Sequence, residues 1–314
     1  MVKINQVKKR IEWIDIAKAI GIILVVIGHC IPQGFLVHFI YSFHMPLFFF
    51  ISGMLFVSGK YSFKKFLKKR FFQLFFPLVI FTGILNLFVF KEFVWYQPFG
   101  LLWFLIILFL SEIIYFVLDR TSMGGVTSVC LIALAFLLQY LNIKLPFSLS
   151  SLPICLSFYI VGNKLKEKIF TCFNGTSSKI YLFLGIGSYI ILAVFVYCVN
   201  QQTAIYDNSM SPFLTGLICL LIGTVGTFAT AKFIDLSFNI EHKFVKEIML
   251  SIGANTMVIY LMHPIAIKLI SNLKTYLTSL IMYELVKFTL IILFLWFCVT
   301  IVDKTCLKYL FGKR

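Results

Sequence analysis

The chain has 314 residues, of which 61% are hydrophobic, 18% aromatic and only 13% charged, about half the charged share of an average soluble domain. A water-soluble fold cannot bury that much apolar surface, so composition excludes an ordinary soluble enzyme and points to an all-α polytopic membrane bundle. The 28 Lys+Arg against 12 Asp+Glu leave a formal charge of +16, a balance that suits nucleic acid or an anionic surface until its placement is known.

A run of about 20 apolar residues crosses the hydrocarbon core, which is ~30 Å thick, at 1.5 Å per residue. Ten such runs follow in chain order, over approximately 12–32, 38–58, 72–91, 99–118, 126–142, 149–163, 180–199, 212–232, 249–270 and 281–302. The sixth is short and contains Pro153 and Gly162, which predicts a broken helix or a displaced boundary. With the N-terminus in the cytoplasm, 22 of the 28 basic residues fall in the alternate segments of that one side. The other six are Lys18 inside the first span and Lys91, Lys144, Lys268, Lys274 and Lys287 at or near the opposite face. Short cytoplasmic loops are enriched in Lys and Arg, so both termini are expected in the cytoplasm and the excess is an orientation signal, with no nucleic-acid partner implied. No loop exceeds about 17 residues, which predicts one integral-membrane domain over 1–314 without an appended soluble domain. The first run ends in His29-Cys30-Ile31-Pro32-Gln33 and has no small-residue cleavage site, so it is expected to stay in the chain. The eight cysteines stand singly and read as small apolar residues. No metal-ligand cluster, Walker loop, dinucleotide fingerprint or nucleophile elbow is present.

Ionisable residues at bilayer depth each cost about 3 kcal/mol unless paired or facing a cavity. The first span holds three: Asp15, Lys18 and His29. At about 100° per residue, Lys18 and His29 fall within about 20° of each other and Asp15 within about 60° of both, so one helix face carries all three over a rise of about 16 Å. Asp15 and Lys18 are spaced to pair. Headgroup snorkelling explains this stripe equally simply, but imidazole is the usual general base near neutral pH, which makes His29 the catalytic candidate. The second span opens Tyr41-Ser42-Phe43-His44, and a short connection brings His44 towards His29 across an antiparallel hairpin. Ser52 and Gly53 read as small residues for close helix packing. The loop from Lys60 to Arg70 is basic and interleaved with aromatics, as an amphipathic interfacial helix would be, and orientation and anionic lipid suffice to explain most of it. Arg70 abuts the third span, where it could clamp the phosphates of an anionic cofactor. Further on stand Trp103 and a deeper Glu112, in either a pairing or a chemical role. A second polar stripe in the ninth span comprises Asn255, Thr256, Tyr260 and His263.

These segments resemble membrane acyltransferase family 3, which includes bacterial O-acetyltransferases acting on glycans. Glu12-Trp13-Ile14-Asp15-Ile16-Ala17-Lys18, followed after ten residues by His29, is similar to the opening of that family. Phe43-His44-Met45-Pro46-Leu47-Phe48-Phe49-Phe50-Ile51-Ser52-Gly53 resembles the phrase that follows it, especially in the fucose 4-O-acetylase-like branch. Leu102-Trp103-Phe104-Leu105, Ile259-Tyr260-Leu261-Met262-His263-Pro264, and Arg70 with Pro77 after it resemble later segments.

The resemblance implies an acyl donor, usually acetyl-coenzyme A, used as a co-substrate from the cytoplasm, and a glycan hydroxyl as acceptor. It places the protein in the bacterial cytoplasmic membrane, in contact with lipid and beside polysaccharide biosynthesis machinery. His29 would be the base. Lys18 and Arg70 would meet donor phosphates, or Lys18 would orient the stripe with Asp15, and His44 would complete the catalytic group. Trp103, Glu112, Asn255, Tyr260 and His263 are the acceptor-side candidates. A lipid-linked sugar exporter is the alternative, since it too would carry polar residues inside many spans. Internal repeats would favour it, and none is apparent.

Overall fold

The computed structural model describes residues 10–90, 100–120, 124–199, 203–204, 208–210, 212–238, 242–271 and 280–313. Lys91 and Lys274, placed above on the opposite face, lie outside them. The chain is an all-α bundle. Its helices are α1 (Glu12–Cys30), α2 (Phe35–Tyr41), α3 (His44–Leu55), α4 (Phe63–Arg70), α5 (Phe76–Ile84), α6 (Trp103–Leu118), α7 (Gly124–Tyr140), α8 (Leu152–Cys172), α9 (Ser178–Val199), α10 (Phe213–Ser237), α11 (Lys243–Ala254), α12 (Thr256–Ser271) and α13 (Leu280–Lys304). A two-residue antiparallel ladder pairs Thr203 with Met210 before α10.

Among the described residues, seven helical stretches are long and apolar enough to cross a membrane, and an eighth arises if α11 and α12, bent by 82°, form one broken span. Each of the ten runs read from the sequence carries helix. The difference in count lies in α7, only 17 residues long, and in α8, whose second half carries Lys164, Lys166, Glu167 and Lys168. Pro153 does not break α8. It stands in the first turn, where a missing N–H has no intrahelical partner to lose. The broken element is instead the ninth run, which bends at Asn255.

The amphipathic α4 is no separate interfacial helix. It continues through a π-helical turn, Phe71–Phe75, into α5, and a second π turn, Leu85–Phe90, follows. Phe66 fixes its rotation: the ring is buried, stacks on Phe116 at 4.7 Å and meets Phe56 edge-on at 5.9 Å. The lysines of α4 are thereby turned outward. Elsewhere close approach is set by small residues. A Cβ at Gly53 would overlap the Tyr159 carbonyl, and one at Gly162 would overlap that of Phe50, so α3 and α8 touch backbone to backbone. Asn163 locks that contact, donating to the carbonyls of Gly53 (3.0 Å) and Phe56 (3.1 Å) and accepting from Tyr115 (2.7 Å).

Helix α1 is the central element. It packs on α3, α10, α11 and α12, and Ile16, Ala17 and Ala19 on it are fully buried. Outward faces of α9 and α13 carry exposed Phe183, Ile190, Ile292 and Phe297, as lipid-facing helices do. The polar residues of α1 therefore point into protein, and the site is built on them.

Candidate active site

Two prolines shape the core of the site. In a helix the carbonyl of residue i accepts from the N–H of residue i+4, and proline has none to give. Pro32 stands four residues after Gly28, just past the end of α1, so the Gly28 carbonyl loses its helical donor. The Tyr41 hydroxyl donates to it instead at 3.2 Å. Gly28 also makes room, since a Cβ there would stand 2.7 Å from the Tyr41 ring. The same hydroxyl oxygen lies 3.2 Å from His29 Nδ1. With its one proton committed to a carbonyl that can only accept, Tyr41 is the acceptor towards His29 Nδ1–H, which leaves Nε2 of His29 as a free lone pair.

Pro264 repeats the device inside α12. It stands four residues after Tyr260, and the freed Tyr260 carbonyl accepts from His263 Nδ1 at 2.7 Å. Among the described residues, Nε2 of His263 is buried without a hydrogen-bond partner. The two imidazoles meet: their rings stack at 5.2 Å with an interplanar angle of 29°. His44 Nδ1 donates to the Ile40 carbonyl at 2.8 Å, and its ring lies 5.1 Å from that of Tyr41. Tyr41 thus stands between His29 and His44, and the imidazole that stacks on His29 comes from the far end of the sequence.

The last carbonyl of α1, on Cys30, accepts from the ammonium of Lys287 at 2.9 Å. Lys287 is buried and paired with Glu284 at 2.5 Å. A cation at a helix C-terminus complements both the orphan carbonyls and the helix dipole. It anchors the turn that carries His29 to α13.

A cavity of about 440 Å³ runs through the bundle below this cluster. Its mouth is ringed by Lys18, Arg70 and Lys313, its walls include Ile22, Phe48, Phe104 and Met257, and it ends on Tyr260 and Met45. Tyr260 is held in place by donating to the Leu101 carbonyl (2.7 Å) and by Phe104 (rings 5.6 Å apart), and its own ring lies 5.8 Å from His263. The order outward from the cavity is therefore Tyr260, His263, His29.

Each cation at the mouth is held by a polar neighbour. Lys18 pairs with Asp15, which also binds Arg10. Arg70 Nε stands 2.6 Å from Glu112 Oε2 and its guanidinium donates to Gln73 at 3.0 Å. Lys313 binds Asp303 at 2.7 Å and the Asn255 side-chain carbonyl. Asn255 sits at the bend between α11 and α12 and donates to the Ser251 carbonyl at 2.9 Å. Gly253 lets that bend rest on α1, for a Cβ there would overlap the Asp15 carbonyl.

The structure thus gathers the sequence candidates into two groups. Lys18, Asp15, Arg70, Glu112 and Asn255 surround the cavity mouth, and His29, His44 and His263 form the imidazole cluster, with Tyr260 between the groups. Trp103 is buried at the start of α6, where Phe104 and Leu105 form the cavity wall. Sequence reasoning missed Tyr41, Gln73, Lys287 and Lys313. Only Lys287 gave a signal, as a charge inside an apolar run.

A polytopic helical bundle with a cation-ringed cavity leading to buried imidazoles can hold an anionic group and accept a proton within the membrane. The chain belongs to acyltransferase family 3: the family model for the acyltransferase domain matches residues 11–302, from the residue before α1 to the last turns of α13. It is an acyltransferase and a multi-pass membrane protein. No curated protein and no solved structure gives a match.

Proposed function

We propose that this acyltransferase moves an acyl group, in the first instance acetyl, from acyl-coenzyme A in the cytoplasm to a hydroxyl of a cell-surface or lipid-linked glycan, as in the fucose 4-O-acetylase-like branch. The setting is the bacterial cytoplasmic membrane, with ten membrane segments and both termini cytoplasmic, beside polysaccharide biosynthesis machinery. The observation that carries this reading is the cavity: basic at one end, apolar along its length, and closed by a tyrosine whose ring adjoins His263, on which His29 stacks. Such a shape suits a polyanionic head that stays near water and an uncharged arm that reaches inward. Arg10, Lys313 and the mouth lie at one end of the bundle, which supports placing both termini on one side.

A thioester is already activated, so catalysis needs a base for the attacking hydroxyl and a donor for the tetrahedral oxyanion. Nε2 of His29 takes the hydroxyl proton as the oxygen attacks the thioester carbon. The tetrahedral adduct then expels the thiolate, which leaves as the thiol once the imidazolium gives it the proton taken from the hydroxyl. Tyr41 holds the His29 tautomer that this requires. Lys18, held by Asp15, and Arg70 face donor phosphates. Tyr260 and His263 contact the acceptor beside Trp103, His44 completes the catalytic group with His29, and Glu112 and Asn255 hold Arg70 and Lys313 at the mouth.

The test is His29→Ala in purified protein in lipid nanodiscs. It should leave a monodisperse protein whose acyl transfer falls by roughly 10²–10⁴-fold, the usual loss with a general base. Near-normal turnover would overturn the base assignment. Wild-type protein that consumes no acyl-coenzyme A, yet moves a lipid-linked sugar across vesicles, would overturn the donor and acceptor together.

A further inference from the structure

Helix α13 lies at the edge of the bundle, with Leu285, Ile292, Leu293 and Phe297 exposed. Between Leu280 and Val302 its only charged residues are Glu284 and Lys287. A lipid-facing helix has no need of them, and a lysine at bilayer depth is costly unless it is partnered. Lys287 nevertheless turns inward and is buried. Its ammonium donates to the Cys30 carbonyl at 2.9 Å, meets Glu284 at 2.5 Å, and stands 5.1 Å and 5.3 Å from the ring centres of Tyr283 and Phe288. Glu284, one turn back, is 34% exposed, so its carboxylate balances the charge from the wetter side.

The Cys30 carbonyl needs a donor from elsewhere. The chain leaves α1 at Ile31 in an extended conformation, φ −98° and ψ 153°, and the helical ladder stops there. His29 therefore stands between two carbonyls that the helix has ceased to satisfy: Gly28 before it, held by Tyr41, and Cys30 after it, held by Lys287. The contact of 3.2 Å between Tyr41 and His29 Nδ1 is only as firm as the backbone that carries His29. A cation on the last carbonyl also matches the negative end of the α1 dipole. We infer that Lys287 is a positioning residue for His29: it holds the Cys30 carbonyl from outside the cavity, keeps the last turn of α1 wound, and so keeps the imidazole in its Nδ1–H tautomer. This inference rests on the reading of His29 as the base. In the rival role the pair merely fastens α13 to the bundle, and any well-packed substitute would serve.

The variant that separates the two roles is Lys287→Met/Glu284→Met in the full chain in lipid nanodiscs. It leaves no charge unpaired, and exchanging a buried ion pair for apolar residues of similar volume is often neutral or stabilising, so its melting temperature should match or exceed that of the wild type. Two readouts are taken on it. Magic-angle-spinning NMR of protein carrying isotope-labelled histidine tells the two neutral tautomers apart, and the His29 signal is the one lost in His29→Gln. Acetyl transfer is followed from acetyl-coenzyme A to the glycan of membranes from cells that lack the protein. The wild type should show His29 as a single Nδ1–H tautomer. The double variant should show both tautomers, with kcat lower by about tenfold or more and the donor KM within about twofold. Lys287→Arg, which can reach the same carbonyl, should keep the single tautomer and most of the turnover.

A double variant with wild-type stability, one tautomer and undiminished kcat would overturn the inference and leave the pair as a fastener of α13. A lower kcat with the tautomer unchanged would overturn it as well. Should the double variant fold poorly, Lys287→Gln is read on its monodisperse fraction, because the shorter amide cannot span the gap: a second tautomer there supports the hold, and a single one overturns it. Two tautomers in the double variant together with a His29→Ala protein that still turns over would keep the hold and overturn the base reading instead.

Discussion

The Arg70–Glu112 pair can be taken apart by substitution, and the outcome says whether Arg70 serves the fold, the donor or both. Glu112 lies in the middle of α6 with a side chain only 3% exposed, whereas Arg70 is 25% exposed. Arg70 is the one cation within ion-pair distance of Glu112 among the described residues. Arg70→Met therefore strands a buried carboxylate, at a cost of about 3–5 kcal/mol. Glu112→Gln keeps an acceptor for the guanidinium and leaves behind a partly hydrated cation that Gln73 still binds, so it should cost only about 1 kcal/mol. In Arg70→Met/Glu112→Gln no charge is left unpaired, and most of the Arg70→Met loss should return as a coupling of about 2–3 kcal/mol. The assay is reversible unfolding in mixed micelles, followed by tryptophan fluorescence, with coenzyme A binding measured on the same four proteins. Additivity of the two substitutions within about 0.5 kcal/mol, or a Glu112→Gln costlier than Arg70→Met, would refute the buried-pair argument. If the double variant regains stability but still binds coenzyme A weakly, Arg70 meets the donor as well. If binding returns with stability, its role is confined to the fold.

Two further substitutions probe the proline device. Tyr41→Phe orphans the buried Gly28 carbonyl and releases His29 Nδ1, so it should cost about 1–3 kcal/mol in unfolding and lower turnover at least tenfold with donor binding unchanged; unchanged turnover would remove Tyr41 from the site. Pro264→Ala returns a helical N–H to the Tyr260 carbonyl and sets it in competition with His263. Since proline costs a helix interior ~3 kcal/mol, melting temperature should hold or rise while turnover falls, and an equal or higher turnover would show that the His263 tautomer does not matter.

Much of the fold was legible because membrane helices announce themselves by length and apolarity. All ten runs carry helix, and the Lys18–His29 stripe does face the interior. The bend was misplaced for a physical reason. Pro153 looks like a breaker, yet it acts as a helix starter once the chain enters the turn at it. The actual bend has no proline before it and comes from Gly253 pressing on α1, with Asn255 turning back onto Ser251. Periodicity reports which face of its own helix a residue occupies and is silent on what that face meets. Hence the stacking of His29 on His263 and the anchoring of Cys30 by Lys287, 257 residues apart, were invisible, although each residue was visible singly.

The spacing that was legible in principle is the one from proline back to the carbonyl it orphans. Gly28 precedes Pro32 by four residues, Tyr260 precedes Pro264 by four, and each freed carbonyl fixes one histidine, through Tyr41 in the first case and directly in the second. Both imidazoles end as Nδ1–H tautomers with an Nε2 lone pair, stacked ring on ring. A carbonyl inside the helical ladder shares its oxygen with a backbone N–H, whereas one freed of that N–H offers an undivided acceptor. Proline at i+4 provides such an acceptor at one chosen carbonyl. The cost to the helix is local, whereas the gain is a base whose protonation site is set before any substrate arrives.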